Sequence, residues 1–262
     1  MRHDPRGGIL ARLARADFLP GSNESTASLK HASVLEATRI LDVAFAAIAL
    51  VVLSPLIVLV ALAVKIESRG PVFFRCRRVG VHGRPLAMVK FRKMRDGAGG
   101  PLLTAVGDDR FTRLGGFLAK TKLDEIPQLW NVVRGEMSLV GPRPEHPDIV
   151  ELYRDEYAQI LRVRPGITGL SQLAFANEAE ILAGDDRLQD YLKRILPQKM
   201  RLDRLYVERQ SLWMNLKILA WTVAAVAFQR DAAVHRSSGR LTVRRRPPGE
   251  AAPLALDLDG GV

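Results

Sequence analysis

The chain has 262 residues, enough for one well-buried core or one domain with tails. Its 39 Lys and Arg against 28 Asp and Glu leave a net charge of +11, which favours polyanionic partners: nucleic acid, an anionic membrane, or the phosphates of nucleotides and lipids. The single cysteine, Cys76, excludes an internal disulfide and a Cys-rich metal site, and 6% aromatic content without an RNA-binding signature argues against a nucleic-acid module.

Residues 1–32 mix Gly, Ser, Pro and charge without periodicity and read as a flexible leader. A short helical pattern (Val34, Leu35, Thr38, Leu41) opens a membrane-embedded unit over 33–66, whose stretch Val43–Val64 is apolar apart from Ser54 and Pro55. That stretch is long enough for a bilayer core, which needs ~20 apolar residues. It starts too far from Met1, and lacks the small-residue cleavage pattern, for a signal peptide. Pro55 at its middle removes a backbone donor and bends a helix, and Ser54 can satisfy a freed carbonyl. Both flanks are basic (Lys30 and Arg39 before, Lys65 and Arg69 after), so the positive-inside rule sends neither end outside. A re-entrant hairpin fits both facts; a straight span with a tolerated proline stays open from the residues alone.

The segments Val72–Phe74 and Leu86–Phe91, around Gly80-Val81-His82-Gly83, predict a small β-hairpin, and Gly97–Pro101 a loop. From Phe111 onward helical patterns dominate, broken by turns at Gly141–Pro147 and Arg164-Pro165-Gly166. Leu188–Arg209 reads as a charged helix, and Leu212–Phe228, with Trp213, Lys217 and Trp221, as an interfacial or core helix. The expectation is a mostly helical α+β protein: the re-entrant hairpin, a small β-hairpin and amphipathic interfacial helices around one cytoplasmic catalytic domain at 67–229. A flexible tail at 230–262, with Arg244-Arg245-Arg246-Pro247-Pro248, completes it.

The chemistry concentrates in Leu123-Asp124-Glu125-Ile126-Pro127-Gln128-Leu129. Pro127 marks a helix start, whose positive end favours a carboxylate at Asp124 able to attack, and Glu125, with Asp124, can hold a magnesium ion that brings substrate phosphates with it. An N-capping Asp followed by a dipole-friendly Glu is the plain alternative. The cations nearby weigh against it: Lys120 and Lys122 upstream, and Arg143 presented rigidly between Pro142 and Pro144 for bidentate phosphate binding. Lys90 and Arg92 at the end of the hairpin can face headgroups or a diphosphate. Arg162 and Arg164, beside the Pro165-Gly166-Ile167-Thr168-Gly169 turn, can add phosphate donors.

In order along the chain, Arg39-x-x-Asp42, Ser54-Pro55, Lys90-Phe91-Arg92-x-Met94, Asp109-Arg110-Phe111-Thr112, Leu123-Asp124-Glu125-x-Pro127-Gln128-Leu129, Gly141-Pro142-Arg143-Pro144 and Arg164-Pro165-Gly166-Ile167-Thr168-Gly169 resemble the bacterial sugar transferases. These are monotopic polyprenyl-phosphate phosphoglycosyltransferases, and the likeness to their short form runs over about residues 33–228. The resemblance implies transfer of a sugar 1-phosphate from a UDP-sugar, a UDP-hexose for preference, to undecaprenyl phosphate. UMP is released and exopolysaccharide, O-antigen or capsule assembly begins. It implies that Asp124 forms a covalent phosphosugar intermediate, that Glu125 helps hold Mg2+, that Pro142-Arg143-Pro144 lies near the nucleotide, and that Ser54-Pro55 makes the membrane helix re-entrant. Arg110 enters the substrate-binding set through its motif. The implied location is the cytoplasmic leaflet of the bacterial inner membrane, among its lipids, without nucleic acid; a homodimer is left open. Two departures stand out: Ala119-Lys120 where relatives often carry two basic residues, with Lys120 or Lys122 as substitutes, and Asp109 where proline is frequent. A non-catalytic basic membrane scaffold of a polysaccharide assembly complex explains the charge and the anchor, but not the acidic pair.

Overall fold

The structure is a computed structural model that describes residues 38–100, 108–176, 178, 187–228, 232–235 and 237–243. The chain divides into two compact units, residues 1–40 and 41–262, and of the first only 38–40 fall among the described residues. The predicted leader at 1–32 lies outside them.

Helix α1, Thr38–Val52, meets helix α2, Ser54–Glu67, at a 62° bend. The cause is local. Pro55 has no N–H to offer Val51, four residues back, and the Ser54 hydroxyl donates to that carbonyl instead at 2.7 Å. No single helix among the described residues is long and apolar enough to cross a membrane; the bent pair meets that test only together. Ala46, Val60 and Val64 face the protein, whereas Phe45, Ile48, Val52, Val58, Leu59 and Leu62 are exposed.

Strand β1, Phe73–Val79, pairs antiparallel with β2, Pro85–Phe91, in the register Phe73↔Phe91 to Val79↔Pro85. The first strand runs beyond the expected Val72–Phe74, because Arg75 and Arg77, exposed, and Arg78, half-buried, extend it along β2. The alternation of β2 places Lys90 on the same buried face as Leu86 and Met88. Arg92, just past β2, caps α2: its guanidinium donates to the Arg69 carbonyl at 2.6 Å and the Ser68 carbonyl at 2.8 Å, where the helix dipole welcomes a cation.

Helix α3, Arg113–Thr121, is capped by Thr112 Oγ1, which accepts the Gly115 N–H at 2.9 Å, and by Glu67, which accepts that of Leu114 at 2.8 Å. It ends at Lys122, held at φ 60°, a left-handed conformation that glycine usually supplies. One 3-10 turn, Leu123–Glu125, leads into the short helix α4, Gln128–Val133.

Strands β3, Ser138–Val140, and β4, Gly166–Thr168, form a small parallel pair where sequence reading expects only turns. Three residues each are too few to show a period. The pair closes because Gly141 and Gly166 have no Cβ; one on Gly166 would lie 2.0 Å from the Gly141 nitrogen. Between the strands lie α5, Pro147–Leu152, and α6, Arg154–Ile160. After β4 come α7, Leu170–Ala174, and the expected charged helix, built as α8, Arg187–Asp190, a π turn, Tyr191–Ile195, and α9, Leu196–Arg209. Pro197 in the first turn of α9 withholds an N–H, and the widened turn precedes it. Helix α10, Leu212–Phe228, has the predicted bounds; it buries Asn215 and Ile218 and exposes Trp213, Leu216, Val223 and Phe228. Part of the stretch expected as a flexible tail is instead a hairpin, β5 (Ala232–Val234) with β6 (Leu241–Val243), because Ala232 and Val234 bury themselves in the main core with Leu170, Leu205 and Tyr206. Residues 244–262 lie outside the described residues.

Candidate active site

Four cations surround two carboxylates. The left-handed turn at Lys122 reverses the chain after α3, so that the 3-10 turn carries Asp124 and Glu125 under the end of β2. With ~3.0 residues per turn, adjacent side chains on such a turn diverge by ~120°, and the two acids find different partners. Glu125 Oε1 accepts from Lys90 Nζ at 2.7 Å. Asp124 is 1% exposed, and its Oδ2 lies 3.2 Å from Lys93 Nζ, an ion pair without hydrogen-bond geometry.

Burial would raise the Glu125 carboxyl, but the charges of Lys90, Arg143 and Lys122 and the Lys90 hydrogen bond outweigh it and hold it at about 2. Lys90 and Lys122 are both pushed below the usual ammonium range, first by burial and then by Arg143 and Lys93, against the pull of Glu125 and Asp124. Burial also opposes the charge of Arg143, yet Glu125, Glu178, Glu145 and Tyr191 more than offset it and raise the guanidinium above its usual range. Among the described residues Arg143 donates no hydrogen bond, so its fork of donors is uncommitted beside the acidic pair. Pro142 and Pro144, on either side, are buried and fix its backbone.

The structure brings together Lys90, Asp124, Glu125 and Arg143. It places other expected residues elsewhere. Arg92 is buried in its cap on α2; Arg110 holds Asp108 through Nε at 2.8 Å and Nη2 at 2.6 Å. Arg164 is exposed, with Nε on the Gly135 carbonyl at 3.1 Å, and Lys120 is exposed on α3. Ser54 and Pro55 stand at the α1–α2 bend.

Sequence reading missed Lys93 and Asn131. Asn131 covers the free edge of β2, with Oδ1 accepting the Val89 N–H at 3.0 Å and Nδ2 donating to the Ala87 carbonyl at 2.9 Å and to Glu136 at 2.7 Å. It thereby fixes the strand on both sides of Met88, just before Lys90. Gln128 and Asn131, amides three apart on a short apolar helix, were the readable signal, since such spacing shares a face. A second polar layer backs Arg143. Glu145 accepts from Tyr191, Lys199 pairs with Glu178, and its ammonium lies 4.9 Å from the Tyr191 ring centroid. Burial would raise Glu145, but Lys199, the Tyr191 hydrogen bond, Arg78 and the His146 N–H hold it low. Asp203 in α9, 4% exposed, is pushed up to about 7 by burial.

A carboxylate pair set among cations suited to phosphate is the chemistry this site offers, in a chain that also carries a bent apolar helix pair. The sequence profile of the bacterial sugar transferases matches residues 33–229, and the chain belongs to that family. It is 40% identical over 193 residues to a UDP-glucose:undecaprenyl-phosphate glucose-1-phosphate transferase of Caulobacter vibrioides, covering 72% of this chain and 68% of that one. It is 36% identical over 214 residues to the exopolysaccharide production protein ExoY of Rhizobium meliloti, with 75% and 88% covered. A UDP-N-acetylgalactosamine-undecaprenyl-phosphate N-acetylgalactosaminephosphotransferase of Aeromonas hydrophila is 36% identical over 193 residues, which are 72% of this chain and 43% of that protein.

Proposed function

We propose that the protein transfers a sugar 1-phosphate from a UDP-sugar, a UDP-hexose for preference, to undecaprenyl phosphate at the cytoplasmic face of a bacterial inner membrane, initiating a surface polysaccharide. The observation that carries this reading is the acidic pair held by Lys90 and Lys93 beside an Arg143 that has not committed its donors. The bent α1–α2 hairpin, with its exposed Phe45, Ile48, Val58 and Leu62, is the re-entrant anchor that brings the site to the polyprenyl substrate.

In the first half-reaction an oxygen of Asp124 attacks the β-phosphorus of the UDP-sugar. An O–P bond forms, the bond from that phosphorus to the bridging oxygen breaks, and the electron pair leaves with UMP. In the second, a phosphate oxygen of undecaprenyl phosphate attacks the phosphosugar on Asp124 and restores the carboxylate. No proton need move, since the charges of carboxylate and UDP-sugar reappear on the phosphosugar enzyme and UMP. Two-step displacement of this kind is established nucleophilic catalysis, with ping-pong kinetics. Arg143 supplies a bidentate grip on the diphosphate, and Lys90 keeps Glu125 in place.

Among the described residues no three His, Cys, Asp or Glu side chains form a metal cage. Glu125 Oε2 and Asp124 Oδ2 accept no hydrogen bond from the described residues, and such oxygens would suit a magnesium ion that takes its remaining ligands from phosphates and water. Glu125, whose Oε1 alone is engaged, would hold it together with Asp124. When bound, the ion neutralises phosphate charge.

A panel of UDP-glucose, UDP-galactose and UDP-N-acetylhexosamines with undecaprenyl phosphate tests the function. One donor should yield UMP and a lipid-linked sugar phosphate. Neither product from any donor would leave a scaffold role; free phosphate without lipid product would mark a hydrolase.

A further inference from the structure

Lys93 is built into the site from the backbone outward. Its carbonyl accepts the Thr112 N–H at 3.1 Å, and α3 lies so close that a Cβ on Gly115 would meet that oxygen at 1.8 Å. The following residues continue the clamp through the Met94–Phe111 bridge and the Arg95 N–H on the Arg110 carbonyl at 2.9 Å. The side chain passes Phe111, with Nζ 5.7 Å from the ring centroid, and ends 3.2 Å from Asp124 Oδ2. A cation over a ring face and beside a carboxylate is held by charge alone. Among the described residues the ammonium commits no N–H to a hydrogen bond, and Oδ2, 1% exposed with its residue, accepts none. Lys90 is tied to Glu125, and Arg143 is fixed between prolines. Lys122 also keeps its donors free, but among the described residues it is the Lys93 ammonium, on its fixed root and flexible stem, that lies against Asp124.

We infer that Lys93 is a further catalytic residue of the first half-reaction: it faces the attacking oxygen of Asp124 before the attack and turns its N–H donors to the phosphoryl oxygens as that oxygen bonds to phosphorus. This rests on the reading of Asp124 as the nucleophile. As the Asp124 O–P bond forms, the carboxylate gives up its charge and the bond to the bridging oxygen breaks, so charge moves across the phosphoryl group onto UMP. A cation left at the Asp124 carboxyl would then face a neutral ester. A short swing of the same ammonium keeps it against the charge, without water having to reorganise.

The test uses the full-length protein in lipid nanodiscs with UDP-glucose, or whichever UDP-hexose the wild type accepts. Rapid-mix measurement of UMP release without lipid acceptor reads the first half-reaction alone. Lys93→Met, which keeps the stem over Phe111, should slow this burst ~100-fold while the half-saturating donor concentration changes less than ~3-fold. Lys93→Arg should stay within ~10-fold of wild type. Unchanged melting temperature separates this from unfolding; if the Met variant melts early, Lys93→Gln is read by the same criteria. A burst within threefold of wild type, or a loss confined to half-saturation, overturns the inference. Asp124→Asn separates the two readings. If it still releases UMP, the nucleophile assignment falls and Lys93 with it; if it is inactive while Lys93→Met is normal, only Lys93 falls.

Discussion

Asn131 offers the sharpest stability prediction, because one side chain bonds two backbone groups on the open edge of β2. Its replacement by alanine leaves the Val89 N–H and the Ala87 carbonyl without their partners, and Glu136 without the Nδ2 donor. A buried backbone group left unpaired costs ~1–3 kcal/mol, and because Val89 is half-buried and Ala87 exposed, so that water reaches the freed carbonyl, Asn131→Ala should destabilise by about 1–3 kcal/mol in all. For a domain of this size 1 kcal/mol moves the melting temperature by ~2–4 °C, which puts the expected drop at about 3–10 °C. Asn131→Asp is the more telling variant. The introduced carboxyl still accepts from Val89, but its second oxygen meets the Ala87 carbonyl and the Glu136 carboxylate where Nδ2 stood at 2.9 and 2.7 Å. It should melt no higher than the alanine variant at pH 8 and recover on acidification, when the protonated carboxyl can donate again. Circular-dichroism melts in detergent read both, and UMP release should fall in parallel because Lys90 loses its fixed strand. Melting within ~2 °C of wild type for both variants would refute the edge-covering argument.

Three further outcomes follow from the site and its anchor. Arg143→Lys keeps a charge but loses the planar fork, and should lower UMP release ~10–100-fold without changing the melt. Pro55→Ala restores an N–H that can reach the Val51 carbonyl, now served by Ser54, and should straighten the 62° bend. Single cysteines at Leu41 and Ile66, both exposed, should then label from opposite sides of the membrane, whereas with Pro55 in place both label from the cytoplasmic side. Asp203 is held at about 7 by burial and Glu145, against the Ser171 hydrogen bond, Lys199 and Arg143. The folded protein therefore keeps this proton from ~pH 4 to ~pH 7, a range in which the unfolded chain has lost it, so the group makes stability fall as pH rises through that window. Asp203→Asn should remove that slope in pH-dependent melts and raise stability at pH 8; an unchanged slope would show that Asp203 is ordinary.

Much of this organisation was legible in the sequence where composition or spacing imposes a structure. Pro55 announced the bend and Ser54 its compensation. The run Leu86–Phe91 announced a strand, though not that Lys90 would be buried on its inner face, and the apolar stretch 212–228 announced α10. The parallel β3–β4 pair left no readable trace, being three residues a side and closed by glycines that meet only in the fold. The C-terminal hairpin hid for a similar reason: its core contribution is two small residues, Ala232 and Val234, next to a basic segment. At the site the acidic pair and Arg143 could be named from local motifs. Lys90, the partner of Glu125, could be named as well; Lys93 could not, since it meets Asp124 only through the approach of α3 to the end of β2, a long-range contact that sequence spacing does not encode.

On this mechanism Asp124 becomes covalently linked to the sugar donor's phosphorus. Intact-protein and peptide mass spectrometry after mixing with the UDP-sugar, with no undecaprenyl phosphate present, tests it most directly. One equivalent of UMP should appear with a phosphosugar on the peptide carrying Asp124, absent in Asp124→Asn and discharged when undecaprenyl phosphate is added. UMP that appears only after the lipid phosphate is supplied, with no adduct on the protein, would contradict it.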